Sequence, residues 1–342
     1  MDRRTFIHLG LGAAALGSIP HNWNMNREKT ILGHGDFRYQ ADPSWGTLDP
    51  SKIPVNDCHE MVIDRKGRLF LLTNETKNNI IIYNRSGKCL GTWGHEFPGA
   101  HGLTLSDENG EEFLWIADNN RHAVFKTTLE GKILLELPWP KESGKYTSAD
   151  QYVPTETAIA PNGDIYVADG YGAQYILHYD PQGKLKNVFG GRGDGNPHFD
   201  NAHGICLDTR DASNPTLLIT ERQRNQLKRF SLSGDYISHV HLPSAYICRP
   251  VIHGKNVFLA TLVSKMPWDS RSGFVTILDE NNQCVSVPGG NEPHYENGHL
   301  QPLSQSGNLF QHPHDVCVDS DDNIYVAQWN SGKTYPIRLK RV

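Results

Sequence analysis

The sequence predicts an all-β chain, a closed six-bladed β-propeller with four-stranded antiparallel blades, and three observations carry that prediction. A short apolar segment recurs, headed by one position that is often histidine: His59-Glu-Met-Val-Ile-Asp, His101-Gly-Leu-Thr-Leu-Ser, His203-Gly-Ile-Cys-Leu-Asp and His314-Asp-Val-Cys-Val-Asp. With Thr155 and Arg249 at the same slot in two further units, the intervals are 42, 54, 48, 46 and 65 residues. Each interval holds several short β-type runs parted by turn residues. Repeats of roughly 40–50 residues with several strands each belong to propellers, whereas helical solenoids repeat other elements.

The elements follow in order. Unit one is expected as strands over residues 59–64, 68–73, 79–84 and 88–93, divided by turns at Lys66-Gly67 and Ser86-Gly87. Unit two repeats the scheme over residues 101–106, 112–118, 123–129 and 132–137. Units three, four and five begin near Glu156, His203 and Arg249. Gly131, Gly183 and Gly234 fall at the same turn as Gly87, where a tight hairpin needs positive φ. Unit six has three strands, over residues 314–319, 323–327 and 335–340, and then the chain ends. The strand-like residues 36–41 are expected to complete it, closing the ring from both chain ends and leaving no open edge.

Composition agrees with a turn-rich β protein: 37% apolar, 21% charged, with 32 Gly and 20 Pro in 342 residues. The formal charge of −5 and the lack of a long basic cluster argue against nucleic acid as a partner. Residues 1–17 differ in kind. Arg3-Arg4 precedes a Gly- and Ala-rich apolar run that is too short to span a bilayer, so a twin-arginine-type export signal is expected there. That leaves residues 18–342 as a single domain, a monomer in the bacterial periplasm or outside the cell, with no stable membrane span. The six cysteines are read as small buried side chains; Cys89 and Cys284, on outer strands of different units, are not paired.

The slot histidines carry the chemistry. His101, His203 and His314 come from alternate units, about a third of a turn apart on a six-fold ring. Three inward imidazoles would make a facial donor set with an open position, the form of a catalytic zinc site. His59 stands outside that three-fold pattern, as a fourth ligand, a substrate contact or a spectator. Asp315 offers oxygen to a harder ion. The loop residues His95, His122, His198, His294 and His312 are read as solvated. A second set lies at the ends of the second strands, on the face of the slot: Thr73-Asn74-Glu75, Asp118-Asn119-Asn120, Asp169-Gly170-Tyr171, Glu221-Arg222-Gln223 and Gln328-Trp329-Asn330. From it Tyr171 is a candidate base and Arg222 a candidate clamp for a carboxylate.

Phe97-Pro-Gly-Ala-His101-Gly-Leu, Pro154-Thr-Glu-Thr-Ala, Val167-Ala-Asp-Gly-Tyr171, Ala202-His203-Gly-Ile and His312-Pro-His314-Asp-Val resemble motifs of the peptidyl-α-hydroxyglycine α-amidating lyases, six-bladed propellers of the NHL-repeat group. The resemblance implies zinc held by His101, His203 and His314. It implies a structural calcium on Asp315 with main-chain oxygens near Cys58 and Leu103. Tyr171 would be the catalytic base and Arg222 an active-site arginine. The reaction would cleave the C–N bond of a carbinolamide, giving an amide and glyoxylate from a small-molecule or peptide-terminus substrate. The chain departs from the family at Asn74, where an arginine is expected, and at His59-Glu60. Either Arg249 takes over anion binding or the substrate lacks that carboxylate; His59, Asn74, Glu156 and Arg249 are the candidate substrate contacts. The alternative is a non-enzymatic NHL-repeat propeller that binds a protein or glycan on its rim.

Overall fold

Strand-forming residues on both faces of every blade need partners on both sides, and a ring supplies them. A computed structural model describes residues 31–342. The expected export segment over residues 1–17, and its boundary with the domain, lie outside them. Six antiparallel sheets are observed, their inner strands being Cys58–Ile63, Ala100–Glu108, Glu156–Ile159, Ala202–Asp208, Ile247–His253 and Pro313–Val318. Each inner strand touches the next, and the sixth touches the first. Between each pair of neighbouring sheets lies one apolar cluster. Val62, Phe70, Leu103 and Ile116 fill the first junction, and Met61, Leu71, Trp45 and Tyr325 fill the last. Each such side chain, fully buried, contributes about 1.5–3 kcal/mol. The described helices are three-residue 3₁₀ turns, and no described helix is long and apolar enough to cross a membrane.

Closure occurs as expected. Phe37–Asp42 pairs with Ile337–Arg341 in the last blade, with Tyr39 opposite Arg341 and Asp42 opposite Arg338. The Arg338 guanidinium also meets the Asp42 carboxylate at 2.8 Å. A further strand, Ile31–His34, adds to the outer edge of this blade and makes it five-stranded. Its four residues, Ile-Leu-Gly-His, are too few to show an alternating pattern and none is fully buried, and that hid it. The long last interval is explained by a small hairpin, Tyr295–Glu296 with His299–Leu300.

One backbone feature positions the site. The ladder between first and second strands slips at the slot in blade 1 (Cys58/Glu60), blade 2 (Ala100/Gly102), blade 4 (Ala202/Ile205), blade 5 (Ile247/Pro250) and blade 6 (Pro313/Asp315). A bulge inserts an unpaired residue and re-aims its side chain. Here the residues released include His59, His101, His203, Arg249 and His314, which therefore turn towards the axis. Crowding there sets the residue after the slot in blades 2 and 4. A Cβ on Gly102 would lie 2.4 Å from the Thr155 oxygen, and one on Gly204 2.5 Å from the Arg249 Cα. Glycine is required at both.

Candidate metal centre

The bulges bring four imidazoles together. His101 and His314 have ring centroids 4.8 Å apart, His101 and His203 4.9 Å, and His203 and His314 5.0 Å. His59 joins them at 4.9 Å from His101 and 4.8 Å from His314. All four residues are buried. The Nδ1–H of His101 donates to the Thr155 carbonyl (2.9 Å), and that of His314 to the His59 carbonyl (3.0 Å). Such bonds fix the tautomer and leave the Nε2 lone pairs for another partner. Burial pushes the pKa of every one of these rings down, His59 to about 3, so the cluster is neutral at pH 7. For His203 the nearby Arg222 charge adds to the effect.

Tyr171 closes the cluster from the mouth. Its residue is 41% exposed, yet its hydroxyl lies 3.2 Å from His101 Nε2 and 3.1 Å from His203 Nε2. Arg222, on a 3₁₀ turn after the strand Thr216–Glu221, donates to the same hydroxyl at 3.3 Å and to Cys248 Sγ at 3.0 Å. Burial raises the Tyr171 pKa, and the Arg222 guanidinium opposes that rise. The phenol is thus accessible to a ligand while its oxygen is anchored among the histidines.

Beneath the imidazoles lies a buried charged layer. Arg249 pairs with both carboxylate oxygens of Asp315 (Nε 3.1 Å, Nη2 2.7 Å) and donates to the carbonyls of Leu103 (3.3 Å) and Met61 (3.0 Å). Glu60 and Glu156 lie 3.5 and 3.7 Å from its Nε. Burial and the neighbouring Glu156 carboxylate push the Glu60 pKa well up, against Arg249. Burial also raises Asp315, and Arg249 opposes it. Glu60, Glu156 and Asp315 each directly follow a slot residue. That acid-after-slot pattern was the available signal for this layer, and sequence reasoning missed it as a set.

Comparison with known proteins agrees with this architecture. The NHL repeat family matches residues 310–331, the inner hairpin of blade 6. "Peptidyl-alpha-hydroxyglycine alpha-amidating lyase 1" of Drosophila melanogaster is 29% identical over 281 residues, covering 75% of this chain and 47% of that protein. "Probable peptidyl-alpha-hydroxyglycine alpha-amidating lyase pgal-1" of Caenorhabditis elegans is 36% identical over 163 residues, 41% of this chain and 45% of its own length. The chain is therefore a six-bladed propeller with an NHL-type repeat in its last blade and with sequence similarity to amidating lyases. It spans about half the length of the curated relatives it matches. A streptogramin B lyase structure shares the fold, with a TM-score of 0.56 at 14% identity over 84% of this chain and 94% of that one.

In this propeller the donor set fits a zinc-type ion. His101 and His314 have their Nδ1 atoms bound to carbonyls, the Nε2 atoms of His101 and His203 meet the Tyr171 hydroxyl, and the buried Nδ1 atoms of His59 and His203 have no hydrogen-bond partner. Leaving buried polar atoms unmatched costs about 1–3 kcal/mol each, and an ion would relieve that cost for a nitrogen it bound. The histidine trio whose donor atoms all lie within 4.8 Å of one another is His59, His101 and His314; His203 is grouped with Cys248 and His314. The thiol of Cys248 is pushed up by burial, against Arg222.

Calcium does not fit. It requires six to eight oxygens at about 2.3–2.6 Å, but Asp315 and the Leu103 carbonyl, two of its expected ligands, are taken by the Arg249 guanidinium. The second main-chain oxygen in that layer is Met61, where Cys58 was expected. Adding calcium, or chelating it with EGTA, should leave the thermal midpoint unchanged; a loss on chelation that calcium restores would count against the guanidinium as the resident cation.

Other expectations are corrected by the same geometry. Arg249 is spent inside the layer and does not face the mouth as a substrate clamp. The Asn74 amide is committed to the Asn56–Asp57 turn, with bonds of 2.9, 3.0 and 3.2 Å. Glu156 Oε1 accepts from Thr104 and Thr157, below the histidines. Among the rim acids, Asp118 and Asp169 cap their own turns, Asp169 also accepts from the Val153 N–H, and Glu221 holds Lys228 at 3.1 Å. His312 is buried, bonded to the Asn330 carbonyl, and His122 is half-buried. All six cysteines are free.

Proposed function

We propose that this propeller is a metal-dependent lyase acting on carbinolamides, with zinc the ion the resemblance implies. The observation that carries the reading is the position of the Tyr171 hydroxyl, within 3.1–3.3 Å of His203, His101 and Arg222 at once. His101, His203 and His314, with His59 beside them, would hold the ion. A divalent ion there supplies Lewis acidity that polarises a substrate hydroxyl.

The chain's own residues would do the rest. Tyr171, exposed at the mouth, accepts the hydroxyl proton as general base. Arg222 steadies the phenolate charge and lies near enough to Tyr171 to meet a substrate carboxylate. As the C–N bond breaks, its electron pair stays on nitrogen and the hydroxyl carbon becomes a carbonyl. Tyr171 returns the proton to that nitrogen, giving amide and glyoxylate with nothing added. The absence of arginine at position 74 narrows carboxylate recognition to Arg222, so smaller or less anionic carbinolamides are also suitable substrates. The test is glyoxylate release from an α-hydroxyglycine peptide by metal-replete protein, with metal content measured in parallel. Stoichiometric metal, lost in His101→Ala together with glyoxylate release, is expected. Protein that folds without metal and releases none would favour a rim-binding scaffold.

A further inference from the structure

The geometry points to His59 as a metal ligand, making the centre a four-imidazole set that works with five or more donors. This rests on the metal-dependent reading above and deepens it. The four rings form two triangles sharing the His101–His314 edge, with His59 on one side and His203 on the other. The two sides are not equivalent. On the His203 side, the Tyr171 hydroxyl already lies against the Nε2 atoms of His101 and His203. On the His59 side the donor atoms of His59, His101 and His314 converge within 4.8 Å, the Tyr171 hydroxyl meets only His101 of the three, and His59 Nδ1, like that of His203, is buried without a partner.

A packing role for the His59 ring explains neither fact. The service His59 renders to its neighbour is done by its main chain, whose carbonyl accepts from His314 Nδ1 at 3.0 Å. The side chain is free for another task. Ligation by four imidazoles has a consequence for the metal. A tetrahedral zinc ion bound by four protein donors is closed, the form of a structural site. An open position then requires an ion that accepts a fifth or sixth donor, as iron(II), nickel(II) or copper(II) do with imidazole, or a zinc that expands to five-coordinate. The substrate would enter on the Tyr171 side, opposite His59.

Cobalt(II) substitution and zinc titration test this directly. Wild-type protein loaded with cobalt should show the weak visible absorption of a five- or six-coordinate ion. His59→Ala, which retains the carbonyl that orients His314, should shift to the intense spectrum of a tetrahedral ion and bind zinc at least about tenfold more weakly. His59→Gln, which fills the space with a poor ligand, should match His59→Ala, and its thermal melt reports folding. If both variants keep the wild-type spectrum and affinity while His101→Ala loses the metal, His59 is no ligand and a three-histidine centre stands. If wild-type protein takes up no metal, the metal-dependent reading fails first and this inference with it.

Discussion

Replacing Arg249 with methionine is expected to destabilise the propeller more than any other single change in the tunnel. The guanidinium is the cation paired with Asp315, and Glu60 and Glu156 lie within 3.7 Å of it. Removing one partner of a buried ion pair costs about 3–5 kcal/mol, because the remaining charge stays buried and unpaired. Against a total stability of about 5–15 kcal/mol, that is a large fraction. The layer also joins four blades, since Arg249 of blade 5 reaches Met61 of blade 1, Leu103 of blade 2 and Asp315 of blade 6. Arg249→Lys should recover part of the loss, keeping the charge but losing the fork. Adding Asp315→Asn to Arg249→Met should recover part as well, by removing the stranded charge. Urea midpoints for the set measure this. A methionine variant within about 1 kcal/mol of the wild type would show that the layer is held by something else.

The second large effect concerns turnover. Tyr171→Phe removes the hydroxyl and leaves the ring, so glyoxylate release should fall by about a hundred- to ten-thousand-fold, the usual share of a general base. Zinc content should stay at the wild-type level, because the imidazoles and not the hydroxyl are the expected ligands, and His101 and His314 are held by main-chain carbonyls that the substitution leaves in place. Arg222→Met acts on the same oxygen with a readable sign. Arg222 favours the phenolate, so its loss lets burial raise the Tyr171 pKa further. The acid limb of the kcat/KM profile should therefore move to higher pH, by about one to three units for a charge this close. A profile unmoved in Arg222→Met, or a Tyr171→Phe enzyme of normal rate, would remove the tyrosine from the chemistry.

Much of this molecule is local in origin and was therefore legible. Strand runs, turn glycines such as Gly87 and Gly131, and a spacing near that of a propeller blade are properties of neighbouring residues. They led to six blades and to a last blade completed by residues from the N-terminal side, which pairs as Phe37–Asp42 with Ile337–Arg341. The recurrence of one histidine position likewise foretold that imidazoles from distant segments would meet. The boundaries erred by a residue or two, as at Pro313–Val318, where residues 314–319 were expected.

What ring closure decided was partnership. A one-residue bulge at the slot directs a side chain to the axis, but which side chains then touch depends on blades nearly 200 residues apart in sequence, as with Met61 and Arg249. Arg249 carries the positive charge that a calcium ion was expected to supply, a fact no local pattern contains, because a charge chooses its counterion by distance in space. Tyr171 and Arg222 could be named from the sequence as base and clamp, yet their meeting at one oxygen beside His101 and His203 exists only in the folded ring. The repeat determined that there would be a tunnel lined by imidazoles. Packing across the axis decided that His59 joins them, and that the acids behind them are answered from within.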